Sequence, residues 1–176
     1  MNLWWEIKDW MLWLSWAIIA ALVISNIAGF FMGTSTPFIA VTTISMTHDQ
    51  TTPTNYVAWM LQRNFTQTQL EAFPFQGGIS ASDAIIVLGP KPKDINVGDV
   101  IVYNNPAYSM PIIHRVIEII PKDGTLYFQT KGDHNPVQDP WLVAETDVEG
   151  RAWLLIPFLG ILNTIYVQFI LFLRRG

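Results

Sequence analysis

The sequence predicts a mostly β fold: an external antiparallel β domain with a small helical insertion, flanked by two transmembrane helices. Three observations lead to it. Hydrophobic residues make up 51% of the chain and charged residues only 14%, against about 25% charged in an ordinary soluble domain. Acidic and basic residues are absent from two long stretches, 10–48 and 152–173. Between those stretches, short β-branched runs alternate with Gly, Pro, Asn and Asp turns. A disordered chain is excluded, because such chains are polar and charge-rich. With 10 Lys and Arg against 14 Asp and Glu, no nucleic-acid partner is expected. The chain has no Cys, which excludes a disulfide scaffold, a Cys zinc site, an iron–sulfur cluster and a Cys nucleophile.

The N-terminal segment and first transmembrane helix are assigned to residues 1–32. Residues 10–32 are almost all apolar, long enough to cross about 30 Å of hydrocarbon. A cleaved signal peptide is the alternative, but the run is longer than an h-region and no clear small-x-small site follows it. Residues 153–176 are read as the second transmembrane helix and its basic tail. They carry Pro157, Gly160 and Asn163 and end on Arg174 and Arg175, and a buried terminal helix is the alternative reading. Lys8 and the Arg174-Arg175 pair put both termini in the cytoplasm by the positive-inside rule. Trp4, Trp5, Trp10 and Trp13 suit an interfacial aromatic belt.

Residues 33–152 then form the external domain. Residues 38–44 follow Pro37 and read as a strand leading out of the membrane. Residues 51–78 read as a helical insertion, with a short helix over 55–63, a capping-box pattern at Thr68 and Glu71, and a closing turn at 74–78. Residues 84–88, 100–103, 112–120 and 126–130 read as strands. Asp123-Gly124 between the last two is a strong hairpin signal.

That hairpin carries a geometric argument. A four-residue turn pairs Ile120 with Thr125 and sets His114 opposite Lys131. A two-residue loop pairs Lys122 with Thr125 and sets His114 opposite Asp133. Cross-strand neighbours lie about 5 Å apart, so either register brings an imidazole near residues 131–135. A histidine oriented by a carboxylate is a general base when a nucleophile completes the set. The bland reading is a partly exposed sheet histidine on a strand with Arg115 and Glu118. The only histidines are His48, His114 and His134, and no pair has helical metal-ligand spacing. No metal and no cofactor are expected. Ser45 is equally ambiguous, since most serines at strand ends form turns. Its position is more informative: it follows the first membrane helix by a short extended segment.

Taken in order, Ser45-Met46, the run Gly98-Asp99-Val100-Ile101-Val102-Tyr103, Ile113-His114-Arg115-Val116, and Lys131-Gly132-Asp133-His134-Asn135 with Asp139 resemble type I signal peptidase. The resemblance is to the archaeal and endoplasmic-reticulum branch, in which His replaces the general-base Lys of the bacterial enzymes. It covers roughly residues 38–160. It implies a domain of coiled antiparallel sheets on the outer membrane surface, cutting signal peptides from exported preproteins after small residues. It implies Ser45 as nucleophile, also supplying an oxyanion N–H, His114 as general base, Asp139 as triad acid and Asp133 in support. The implied partners are signal peptides, the lipid bilayer and the protein export machinery. The implied location is the cell membrane, or the endoplasmic-reticulum membrane in a eukaryote. This sequence departs from the family pattern in three places. Thr47-His48-Asp49 stands where x-Pro usually follows Ser-Met. The Gly-Asp pair appears only as Ser82-Asp83, after the insertion. His134 stands for a common Asn. Ile44 and residues 84–88 are the expected subsite walls. The rival class is a non-catalytic two-span membrane protein whose β domain binds a partner.

Overall fold

The computed structural model describes residues 3–48, 56–89 and 91–160. Helix α1 (Leu3–Met32) takes up the N-terminal apolar run. Its segment Ile7–Met32 is, among the described residues, the one helix long and apolar enough to cross a membrane. Large apolar side chains such as Trp10, Trp13, Leu22 and Phe30 stand exposed along it. The helix ends at Gly33, whose φ of +69° is the left-handed conformation that glycine adopts without strain. Gly89 seats directly on this turn and donates its N–H to Met32 O at 2.6 Å; a Cβ on Gly89 would collide with Gly33 O. This contact sets where the chain leaves α1 and enters the sheet.

Seven strands make one antiparallel sheet: β1 (Phe38–Ala40), β2 (Ala84–Leu88), β3 (Val100–Tyr103), β4 (Ile112–Lys122), β5 (Thr125–Lys131), β6 (Leu142–Ala144) and β7 (Val148–Ile156). Their spatial order is β1-β2-β7-β3-β4-β5-β6. The strand β3 is buried on both faces. Val100 and Val102 join one core with Val41, Met46, Ile79, Ile85 and Val87, while Ile101 and Tyr103 join another with Val116, Phe128, Val143 and Val148. Two buried faces explain a continuous apolar run where a half-exposed strand would alternate.

Two expected elements change their bounds. The strand expected over 38–44 stops at Ala40, because its partner β2 begins at Ala84 and Asp83 O takes the next N–H, that of Val41. The apolar run expected to start a second helix at Trp153 instead continues β7 through Ile156, paired with Ala84, Ile85 and Ile86 of β2. Composition alone does not separate a buried strand from a helix over so few residues. Residues 157–160 form a turn, and the remainder of that expected segment, residues 161–176, lies outside the described residues.

Within the insertion lie α2 (Tyr56–Leu61) and α3 (Gln67–Ala72). They pack a small core of their own from Tyr56, Trp59, Met60 and Leu70. The capping box is at Thr66 and Gln69 rather than Thr68 and Glu71. The Gln69 N–H donates to Thr66 Oγ1 at 3.2 Å, and the Thr66 N–H donates to Gln69 Oε1 at 2.8 Å. Helix α3 starts two residues earlier than expected, so Thr68 and Glu71 fall inside it. The insertion rejoins the domain where Gly78 bridges Thr47.

The β4–β5 hairpin turns through Asp123 (φ +51°) and Gly124 (φ +80°), with Lys122 opposite Thr125. This is the two-residue loop with both residues at positive φ. The register then shifts at Ile117, beyond which Val116 faces Thr130 and Arg115 faces Lys131. A bulge of one residue has this effect. Ile117 packs on the core of the helical insertion, which gives the extra residue a place to go. Continued past Arg115, the register sets His114 opposite Gly132, midway between the two expected positions.

Candidate active site

Ser45 sits in a tight turn closed by Thr47, whose N–H and hydroxyl both donate to Ile44 O, at 3.0 and 2.8 Å. Met46, 1% exposed, plugs the neighbouring core and anchors this turn. The Met46 carbonyl accepts from the Ile79 N–H at 2.8 Å, and the Ser45 carbonyl accepts from the His134 N–H at 2.9 Å. The turn is therefore held from two sides, by the end of the insertion and by the loop after β5. Ser45 is half-buried, and its hydroxyl lies 3.2 Å from Thr43 Oγ1.

His114 lies on β4 opposite Ile101 of β3 and is buried. Its Nδ1 is 2.7 Å from Asp139 Oδ2. Asp139 is itself fixed at the backbone: its N–H donates to Thr130 O at 2.9 Å, and Gln129 Nε2 donates to its carbonyl at 2.7 Å. The same Oδ2 accepts from Thr130 Oγ1 at 2.6 Å and from Tyr103 OH at 3.1 Å. Burial raises the Tyr103 phenol above its ordinary range, so it remains a donor. Trp141 Nε1 donates to that phenol oxygen at 3.3 Å. With Nδ1–H committed to the carboxylate, His114 keeps its lone pair on Nε2.

Gly132 marks the point where these parts converge. A Cβ placed there would lie 2.8 Å from His114 Nε2, 2.8 Å from Ser45 O and 2.7 Å from Asn135 Nδ2. Gly132→Ala should therefore displace the imidazole or the serine turn. The expected result is a shift of the His114 imidazole NMR signals with an unchanged circular dichroism spectrum; signals that stay in place would contradict this convergence.

Ser45, His114 and Asp139 all border one cavity of about 630 Å³, walled by Ile39, Ala40, Met110, Ile112, Val137 and Trp141 among others. Two of the expected walls are elsewhere. Strand β2 is covered on its two edges by β1 and β7, and Ile44 does not line the cavity. Among the described residues, the sheet edge beside Ser45 without a further strand is that of β1.

Asp133 does not enter this cavity. It lies one residue beyond Gly132 and turns to the other face, where Arg115 Nε and Nη2 hold its two oxygens at 2.9 and 2.7 Å. Both side chains are fully buried. Burial disfavours the Asp133 charge, but Arg115 and His48 outweigh it and hold the carboxyl below its ordinary range. His48 Nε2 lies 2.7 Å from Asp133 Oδ2.

Lys131 is buried too, and burial brings its ammonium down to about 8. A depressed lysine suits a Ser–Lys mechanism, but geometry decides first. Its Nζ donates to Gly132 O and Asp133 O at 2.9 and 3.2 Å and lies over the Trp59 ring at 4.8 Å. It does not line the cavity. Among the described residues no group of three or more His, Cys, Asp or Glu is placed to hold a metal ion.

Sequence reasoning missed Tyr103, Thr130, Arg115 and His48. The register contained a signal for the first two. Tyr103 and Thr130 lie diagonally across β3 and β5 from His114, two residues from the positions directly opposite it. Such diagonal pairs share a face and come within reach of long side chains.

No family model matches this chain. Curated proteins do. Over 91 residues it is 34% identical to the signal peptidase complex catalytic subunit SEC11C of Homo sapiens and equally to that of Mus musculus, covering 47% of this chain and 47% of each relative. Over 92 residues it is 29% identical to the signal peptidase complex catalytic subunit SEC11 of Yarrowia lipolytica, covering 48% of this chain and 54% of the relative. The chain thus spans about half the length of the curated relatives it matches. The resemblance read from the motifs holds: the similar proteins are signal peptidase complex catalytic subunits of eukaryotes.

Proposed function

We propose that this chain is a membrane-anchored serine endopeptidase that removes signal peptides from exported preproteins. The observation that carries the reading is the His114–Asp139 pair, 2.7 Å apart, bordering the same apolar cavity as Ser45. In this reading the Ser45 hydroxyl turns from Thr43 towards His114 Nε2. His114 takes the proton as the oxygen attacks the scissile carbonyl. The proton then goes to the leaving amine, and a water repeats the sequence to release the acyl group. Asp139 holds the tautomer and stabilises the imidazolium. The Ser45 N–H serves as an oxyanion donor.

Among the described residues β1 pairs only with β2, and an extended substrate would add at its other edge, beside Ser45, as a further strand. The cavity presents Ile39, Ala40, Met110, Ile112, Val137 and Trp141 beside polar groups such as Thr43, Ser109 and Gln138, and would take the apolar side chains of such a strand. Helix α1 would anchor the domain, so that enzyme and signal peptide meet in the plane of the bilayer. Both termini would be cytoplasmic, the catalytic domain outside, and the export machinery a partner. With protease added to sealed cells, cleavage is expected within residues 51–78; cleavage only in inside-out vesicles would overturn this topology.

The rival non-catalytic reading draws on the Ser45 hydroxyl, whose hydrogen bond here is to Thr43 rather than His114. The deciding experiment reconstitutes the chain in liposomes with a model preprotein. Wild type should cleave it and Ser45→Ala should not. A wild type that neither cleaves nor reacts with a serine-directed acylating probe would establish the binding-module reading instead.

A further inference from the structure

A second histidine–carboxylate pair lies on the other side of the Ser45 turn. His48 follows Ser45 by three residues. Its Nε2 is 2.7 Å from Asp133 Oδ2 and its Nδ1 is 2.8 Å from the Gln76 carbonyl. A carbonyl oxygen only accepts. Asp133, gripped by Arg115 through both oxygens, is an anion and also only accepts. Both hydrogen bonds therefore exist together only when both ring nitrogens carry a proton. Either neutral tautomer gives up one of them. The same geometry excludes His48 as a second general base, because neither nitrogen has a lone pair to offer.

We propose that His48 is a positioning residue for Ser45, acting as a doubly protonated clamp that ties the serine turn to Asp133 and to the helical insertion. The proposal rests on the reading of Ser45 as nucleophile. The clamp acts at the right place. Asp133 lies between Gly132, which adjoins His114 Nε2, and His134, whose N–H holds the Ser45 carbonyl at 2.9 Å. The turn from Ser45 to His48 and the loop from Gly132 to His134 are thus joined at both ends, by the His134 N–H and by the His48 ring. Losing the ring contact removes the tie at the His48 end from the separation between nucleophile and base.

Among the described residues, the groups facing His48 are these. Asp133 and, behind it, Arg115 lie on one side, with the Lys131 Nζ 3.2 Å from the Asp133 carbonyl. Tyr56 of the insertion stacks on the imidazole at 4.6 Å between ring centroids, 20° from parallel. Burial pushes the Tyr56 phenol up to about 12, so it brings no charge to the ring. The insertion therefore does more than decorate the sheet. It supplies the stacking ring and the Gln76 carbonyl that make the doubly protonated form the one that fits.

A rise in pH that removes the second proton should open the clamp and slow the enzyme. The test uses the full chain in liposomes with a model preprotein. kcat/KM is measured against pH for wild type, His48→Gln and His48→Phe. In parallel, ¹⁵N-imidazole NMR follows the three histidines, assigned by substitution. Wild-type activity should fall on the alkaline side with the midpoint at which His48 loses its second proton. His48→Phe keeps the stack on Tyr56 but no donor. It should be on the order of 10²-fold slower near neutrality and should lack that alkaline fall. His48→Gln, which reaches Asp133 but not Gln76 O at once, should lie between. Where His48→Phe does not fold, the coincidence of midpoints in wild type decides. Wild-type rate and profile in His48→Phe, or a singly protonated His48 throughout the active range, overturns the clamp. A wild type that cleaves nothing at any pH overturns the Ser45 reading, and the positioning role with it.

Discussion

Ser45→Ala and His114→Ala should each lower kcat/KM for preprotein cleavage by about 10³- to 10⁶-fold, with the fold retained. On the proposed mechanism nucleophile and base act as a unit, so the double variant should be little slower than either single one. Additive losses would contradict a shared proton-transfer mechanism. Asp139→Asn tests the third member differently. An amide facing His114 Nδ1 offers N–H as readily as oxygen. It allows the tautomer with the proton on Nε2, which cannot accept from Ser45. A loss of about 10⁴-fold is expected from this exchange in a triad. Tyr103→Phe and Thr130→Val remove one of the three donors to Asp139 Oδ2 and should cost far less. On the acid side kcat/KM should fall tenfold per pH unit, because a protonated His114 cannot take the serine proton. Lys131→Met is the control for a Ser–Lys mechanism. It removes the ties to Gly132 O and Asp133 O and so slows the enzyme, but the residual activity should keep the acid limb. A dead Lys131→Met beside an active His114→Ala would reassign the base.

The second large effect is on stability. Arg115→Met should destabilise the domain by about 3–5 kcal/mol, the usual result of leaving one member of a buried ion pair uncompensated. Arg115 is 0% exposed, and besides Asp133 it donates to Pro74 O and Gly98 O, tying insertion and β3 entry together. The sign of the pH dependence follows from the direction at Asp133. Its carboxyl is depressed in the folded state, mainly by Arg115 and against its own burial. The stabilisation is therefore present above the ordinary carboxylate range, about 3.9, and is lost as pH falls through the folded-state value. Without Arg115 the same buried carboxyl favours its neutral form. The gap between wild type and Arg115→Met, read from thermal melts in detergent micelles, should narrow on acidification. A gap that widens at low pH would mean that Asp133 is not the group left uncompensated. Arg115→Met with Asp133→Leu should be milder than Arg115→Met alone, as expected for residues that couple.

Several features were legible because they are local. The apolar run that became α1 needs only length and lack of charge. The Asp123-Gly124 loop needs only two residues that accept positive φ, and both have it. Strands β2 and β3 match the expected runs residue for residue, since short apolar segments between turn residues have few other fates. The ordered motifs brought Ser45, His114 and Asp139 forward, but through resemblance; spacing by itself placed His114 beside residues 131–135 and went no further.

What only the tertiary structure decided is which carboxylate pairs with which imidazole. Both registers derivable from the turn put Lys131 or Asp133 opposite His114, and the bulge at Ile117 puts Gly132 there instead. In a strand a shift of one residue exchanges the two faces. That single residue sends Asp133 to the face of Arg115 and His48, leaves room for the imidazole above Gly132, and opens the His114 side to Asp139 arriving from the following loop. The cause lies outside the hairpin, in the packing of Ile117 on the helical insertion. The same distinction applies at Trp153, where an apolar stretch long enough for a helix is drawn into the sheet because β2 offers it an unpaired edge. Local composition determines what a segment is able to form; the neighbour that satisfies its backbone and covers its side chains determines the register and the face, and those set the chemistry.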